Sequence, residues 1–192
     1  MRYKHLGLIL FMVLLNVLGK TWRDVPKYYK SMAYVSCVNA SYYLLCRRHL
    51  VWEFTPNGIN WKYLRSAHIL IVSPLLVLLY LSKLPESRLK RIVYTGKSIL
   101  IACFVEFFVH KQKLIQFKHG WSLLWSSFMY LMMFTYSSLF TKRPFLTLFL
   151  SILSSVFFIM KFNVPLKTKH PCSRRLEPLT DLFYHSFLED VF

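Results

Sequence analysis

Two pairs of residues in this chain have the types and spacing for acid–base or metal chemistry. His49 and Glu53 stand four apart, as do Glu106 and His110. At 3.6 residues per turn, each pair would share a helix face, where an imidazole and a carboxylate can hold a proton or a cation between them. With His119, which follows closely, these four form the candidate polar site. Four-residue spacings of this kind also arise by chance, so the pattern carries little weight by itself. A hydrolytic zinc centre would need a denser arrangement such as H-E-x-x-H, and the sequence holds none. It also lacks G-x-S-x-G, a glycine-rich phosphate loop and a Cys/His nucleophile pattern. Cys37, Cys46, Cys103 and Cys172 show neither C-x-x-C nor zinc spacing. The sequence reading therefore assigns no catalytic residue, no metal and no cofactor.

The elements that must position these residues are apolar helices. The chain is 55% hydrophobic and 18% aromatic, with only 5 Gly in 192 residues, too apolar for a soluble domain of that length. Apolar runs recur over residues 3–19, 29–46, 67–84, 92–109, 120–140 and 144–160. About 20 apolar residues cross the ~30 Å hydrocarbon layer. The expected fold is an all-α polytopic transmembrane bundle of five or six spanning helices over residues 1–166. The polar, amphipathic tail 167–192 follows, with Leu179, Leu182, Phe183 and Leu188 near one helical face and Asp181, Glu189 and Asp190 supplying acidity. Such a tail suits docking on basic loops as a short amphipathic helix, and equally suits a mostly disordered terminus.

Each segment carries its own expectations. The N-terminus has the basic start and apolar middle of a signal peptide without a small-x-small cleavage site, and reads as an uncleaved first helix. In the second segment Ala33, Cys37 and Ser41 fall four apart, which suits close packing inside the bundle, and Ser36, Asn39 and Tyr43 suit inter-helix hydrogen bonds. The third holds His68 and Pro74; a proline there needs a neighbour to meet the freed carbonyl. The fourth holds Lys97 and Glu106. Only "TKRP" separates the last two, which requires an antiparallel hairpin.

The net charge of +17 is confined mostly to short connectors and the two ends. That distribution points to anionic lipid headgroups rather than nucleic acid. With six crossings, 14 of the 25 Lys and Arg lie on the side of both termini and 10 on the other, a bias that puts the termini in the cytoplasm. The same topology gathers Trp52, Trp61, Trp121 and Trp125 on one rim with the candidate polar site and leaves Trp22 opposite. All five sit near helix ends, as interface anchors do. Buried at a helix end, Glu106 carries a desolvation cost and needs a partner. The expected one is His110, with Lys97 on the far side of the helix reaching toward the other rim. Asn39, His68 and Lys97 are the intramembrane polar positions; they form no repeated pattern of the kind transporters show.

Longer stretches carry a resemblance. "TWRDVPKYYK" after the first helix, "LVWEF" before a turn, Pro74, Glu106 ending the fourth helix, and "GW" with "WSSF" opening the fifth resemble a family of small uncharacterised polytopic membrane proteins of Bacillus-like, spore-forming Firmicutes. The likeness covers about residues 3–165, and the matching positions are Trp22, Trp52, Glu53, Pro74, Glu106, Gly120, Trp121 and Trp125. It implies a multi-pass protein of the bacterial cytoplasmic membrane, with no activity or cofactor to carry over. The tail departs from the family pattern.

Three functions follow as expectations. The first is a structural or interaction subunit of a membrane complex, with a foreign partner or a second copy. The second is a small transporter, channel component or ligand sensor using the Glu/His rim. The third is a membrane-embedded enzyme.

Overall fold

The computed structural model describes residues 2–46, 49–55 and 60–165. The Pro56-Asn57-Gly58 turn and the tail 167–192 lie outside them. Among the described residues six helices make up the bundle: α1 (Arg2–Leu18), α2 (Val25–Leu45), α3 (Trp61–Ser82), α4 (Arg88–Lys111), α5 (Leu123–Phe140) and α6 (Pro144–Lys161). Two short strands, β1 (Trp52–Phe54) and β2 (Ile115–Phe117), pair antiparallel at one end.

The class is the expected one, an all-α helical bundle. The number of spans is refined. Helices α3, α4, α5 and α6 are each long and apolar enough to cross a membrane. The first two reach that standard only together, as a pair bent by 78°, so by length and apolar composition the described residues hold four candidate spans, or up to five if the bent pair is one span. The reason is local. A residue in the left-handed region, Lys20, ends α1, and a 3-10 turn, Thr21–Asp24, redirects the chain. The corner is tied by the buried Thr21 hydroxyl, which donates to Asn16 Oδ1 at 2.6 Å. Even so, α1 begins and α2 ends at the strand-pair end, as their contacts below establish.

The core lies where α2, α3 and α5 meet. Val77 and Leu78 of α3 are fully buried, with Phe134 of α5 and Val35 of α2 beside Val77. Tyr80 stacks on Phe134 at 4.4 Å. Hydroxyl groups bridge the helices around it: Ser31 donates to the Ser137 carbonyl at 2.9 Å, and Tyr34 bonds Ser151 at 2.5 Å. The outward faces are apolar. Leu100, Ile101 and Phe104 of α4 and Phe145, Phe149 and Ile152 of α6 are all exposed, as a helix surface solvated by lipid must be.

Two sequence expectations change here. In α2 the Ala33, Cys37 and Ser41 stripe is exposed rather than packed. The large phenol side chains of Tyr34, Tyr42 and Tyr43, which reach across to α6, β1 and α3, decide instead which face turns inward. Helix α3 starts at Trp61, earlier than the expected 67, because Asn60 caps it: its side-chain oxygen accepts the Lys62 N–H at 2.9 Å. Pro74 is accommodated as its chemistry demands. The preceding turn, His68–Val72, widens to a π-helix, and the Ser36 hydroxyl of α2 donates to the Ile69 carbonyl at 2.9 Å.

Candidate functional site

The site is built on the strand pair. Trp52 faces Phe117, Glu53 faces Gln116 and Phe54 faces Ile115. Side chains alternate across a strand, so Trp52, Phe54, Ile115 and Phe117 share the bundle-facing side while Glu53 and Gln116 share the outer one. Two three-residue strands are too few to be stable alone. What holds them is a polar side chain from each of the first five helices.

From α1, His5 Nε2 donates to the Thr55 carbonyl at 2.9 Å. From α2, the Tyr42 hydroxyl donates to the Trp52 carbonyl at 2.9 Å and accepts the Trp52 amide at 3.1 Å, closing the free edge of β1. His68 of α3 is held between the Tyr43 hydroxyl at 3.3 Å and Ser73 Oγ at 3.2 Å. Its ring lies 5.1 Å from that of Trp52 and 5.2 Å from that of Phe54. His110 of α4 donates from Nδ1 to the Ile115 carbonyl at 3.2 Å and stacks on Phe117 at 4.3 Å. From α5 comes Ser126, which reaches the strands through Glu106.

Glu106 is the centre of this arrangement and is only 5% exposed. Its Oε1 accepts the Trp52 indole N–H at 2.7 Å and the Ser126 hydroxyl at 2.7 Å. The Tyr130 phenol lies beside the same carboxyl group and interacts with it. Ser126 Oγ in turn accepts the Trp121 indole N–H at 3.0 Å. A buried carboxylate is tolerable when several donors converge on it, and here they come from β1 and α5. The expected Glu106–His110 pair is therefore corrected. Both residues lie on α4, but His110 is turned to the β2 backbone, because an edge carbonyl there needs a donor.

The other pair also separates. His49 and Glu53 do not share a helix face: His49 lies in the connector after α2, where its ring stacks on His119 with centroids 3.6 Å apart. Glu53 lies on the outer side of β1, where Lys118 and Arg65 both pair with it, the latter at 3.3 Å. Among the described residues no three His, Cys, Asp or Glu side chains converge as metal ligands do. Burial pushes the nearby Cys46 thiol up, which makes it a poor nucleophile.

The tryptophans divide by role. Trp52 and Trp121 are hydrogen-bonded into the Glu106 network. Trp125 packs on Phe162 at 5.4 Å, with Lys161 over its ring. Trp61 is 44% exposed under the Arg65 guanidinium, and Trp22 stands at the opposite end, 56% exposed. The last two fit the interface anchor expected of all five. Asn39 is half-buried, with no side-chain hydrogen bond among the described residues, and Lys97 is exposed on the outer face of α4.

Sequence reasoning missed His5, Tyr42, Phe54, Ser126 and Tyr130. One signal was present: W-E-F and I-Q-F each alternate apolar and polar residues, the period of a strand with one buried face. No protein-family model, curated protein or solved structure matches the chain.

Proposed function

We propose that this protein is a structural or interaction subunit of a membrane complex, in which the strand pair presents a rigid, charged surface to a partner. The observation behind this reading is the enclosure of Glu106. A carboxylate that binds and releases a proton or cation needs an open route to its oxygens. Here Trp52, Ser126 and Tyr130 already converge on a group that is 5% exposed. The cavity beside the strands, lined by His5, Leu8, Phe54, Leu64, His68 and Val72 among others, is about 10 Å³, room for one water at most. Following the family resemblance, we place the complex in the bacterial cytoplasmic membrane.

Substitution Glu106→Gln tests the proposal. Gln keeps one carbonyl acceptor but brings an amide N–H₂ into a ring of donors. The expected result is lower abundance and loss of co-purifying partners in mild detergent. Normal abundance with intact complexes overturns the reading. One observation favours a second reading, a proton-coupled transporter or sensor: the His49 and His119 rings stack at the same end. Flux in reconstituted vesicles that stays flat from about pH 5 to 8 removes it.

A further inference from the structure

Helix α4 carries an ammonium on the face it turns to lipid. Lys97 is exposed there, nine residues in from Arg88 and so about 14 Å along the axis. Val93, Leu100, Ile101 and Phe104 around it are exposed and apolar. A charge in such a setting is costly unless an anion or water meets it. The next cation on the same face is Lys90, also exposed. Seven residues make two turns with a drift of about 20°, so the two stems stand in one row, about 10 Å apart along the axis. Side chains on a helix lean toward its N-terminus, which for α4 is the Trp22 end, since His110 reaches the strand pair. The Lys97 stem therefore carries its ammonium toward Lys90 and the membrane surface.

Neither lysine is neutralised from within. Among the described residues no carboxylate forms an ion pair with Lys90 or Lys97. Glu86, the nearest carboxylate in sequence, acts instead on Lys27 of α2. Away from the two ammoniums the row becomes wholly apolar: Ile101, Phe104 and Phe108 continue it toward the strand-pair end, all exposed. Beside Lys97, at Gly96, there is open space where a side chain would stand.

We propose that Lys90 and Lys97 hold the phosphate of one anionic phospholipid, whose acyl chains lie along Ile101, Phe104 and Phe108. The row has the complementary order of such a lipid, two cations at the membrane surface above a continuous apolar track. Two ammoniums can share one phosphate through charge-assisted hydrogen bonds. A phosphatidylglycerol headgroup leaves that phosphate its net charge, whereas a choline headgroup brings a cation of its own beside the lysines. This is a discrete site on one face of one helix, unlike the diffuse attraction of basic connectors to a charged membrane. It lies away from the strand pair and does not depend on the subunit reading.

The test is native mass spectrometry of the full-length protein in mild detergent with equal amounts of phosphatidylglycerol and phosphatidylcholine. One phosphatidylglycerol should remain bound, with at least about tenfold preference over phosphatidylcholine. An ammonium near an anionic surface contributes about fivefold in affinity. K90Q or K97Q alone should therefore weaken binding about fivefold, and the two together about 25-fold. The combined variant K90R and K97R, which keeps both charges, should bind within about twofold of the unaltered protein. The combined variant K20Q and K30Q removes as much charge from the same end of the bundle, but from outside α4, and should leave binding unchanged. A smaller headgroup preference overturns the proposal, as does a K90Q and K97Q variant that binds normally or an equal loss in K20Q and K30Q. A dimer that takes up no lipid also overturns it, since α4 would then face a second copy. Should the Gln variants fail to fold, the headgroup preference of the unaltered protein decides alone. No foreign partner enters this measurement, so its failure leaves the subunit reading standing, and failure of that reading leaves the lipid site.

Discussion

The two ends of the bundle differ in their share of long-range hydrogen bonds. At the strand-pair end, the hydrogen bonds join residues far apart in sequence: Trp52 to Glu106, His5 to Thr55, Ser126 to Glu106. At the Trp22 end, among the described residues, local polar contacts stand beside fewer long-range ones, such as Ser31 to Ser137 and Tyr80 to Thr95. Thr21 reaches back to Asn16, Arg91 to the Pro85 and Glu86 carbonyls, and Arg23 lies over the adjacent Trp22 ring. Local contacts form in almost any arrangement of the helices, whereas long-range ones require a single arrangement. The strand-pair end therefore carries most of the bonds that set the register of α1, α2, α4 and α5, with the Ser31–Ser137 bond of the Trp22 half adding to it for α2 and α5. At the Trp22 end, apolar packing such as Tyr28 against the Val77 and Tyr80 cluster carries the rest of the contact.

The largest expected effect comes from removing the acceptor itself. Glu106→Leu leaves the Trp52 N–H, the Ser126 hydroxyl and the Tyr130 hydroxyl facing an apolar side chain. A buried donor without an acceptor costs about 1–3 kcal/mol, and inter-helix hydrogen bonds in membranes average nearer 0.6 kcal/mol. Together these place the loss at about 2–4 kcal/mol. Thermal unfolding of the purified protein in detergent measures it. A loss under about 0.5 kcal/mol, the range of an ordinary surface change, would mean that the network does not hold this end together.

A smaller effect sharpens the same contrast. Trp52→Phe keeps an aromatic ring on the strand but removes one donor, while Ser126 and Tyr130 remain on the carboxylate. The expected loss is about 1 kcal/mol. In a double-mutant cycle with Glu106→Gln, contacting residues should couple by about 0.5–2 kcal/mol. Strict additivity would show that the indole and the carboxylate act independently, and the long-range character of this end would lose its main support.

These two predictions concern a bond that no spacing rule reveals. The helices were legible because apolar runs of membrane length leave little freedom, and the gathering of four tryptophans followed from helix count and connection alone. Trp61 was misplaced into a connector because the first turns of α3, "WKYLRS", are polar and basic; the Asn60 cap was the better marker. Glu106 was recognised as a residue needing a partner, since burying a carboxylate is costly wherever it sits. Its partners were not legible, because Trp52 lies 54 residues away and reaches it only after β1 has paired with β2. The same-face rule gave His110 as the neighbour. It failed because the rule describes helix geometry and is silent on the claim a strand edge makes on the same imidazole.

The smallest expected effect lies on the same helix as the largest. Lys97 is nine residues before Glu106, on the outer face of α4, exposed among Leu100, Ile101 and Val93. No side chain among the described residues accepts a hydrogen bond or ion pair from it. Its long stem lets the ammonium extend toward the Trp22 end, where headgroups can solvate it. Lys97→Leu should therefore change the melting temperature by no more than about 1–2 °C, the equivalent of about 0.5 kcal/mol in a chain of this size. Trp22→Ala should behave similarly. If Lys97→Leu instead melts as early as Trp52→Phe, the ammonium has an acceptor in the assembled protein. The outer face of α4 would then be a second specific contact surface, and the Trp22 half of the bundle would be as constrained as the strand-pair half.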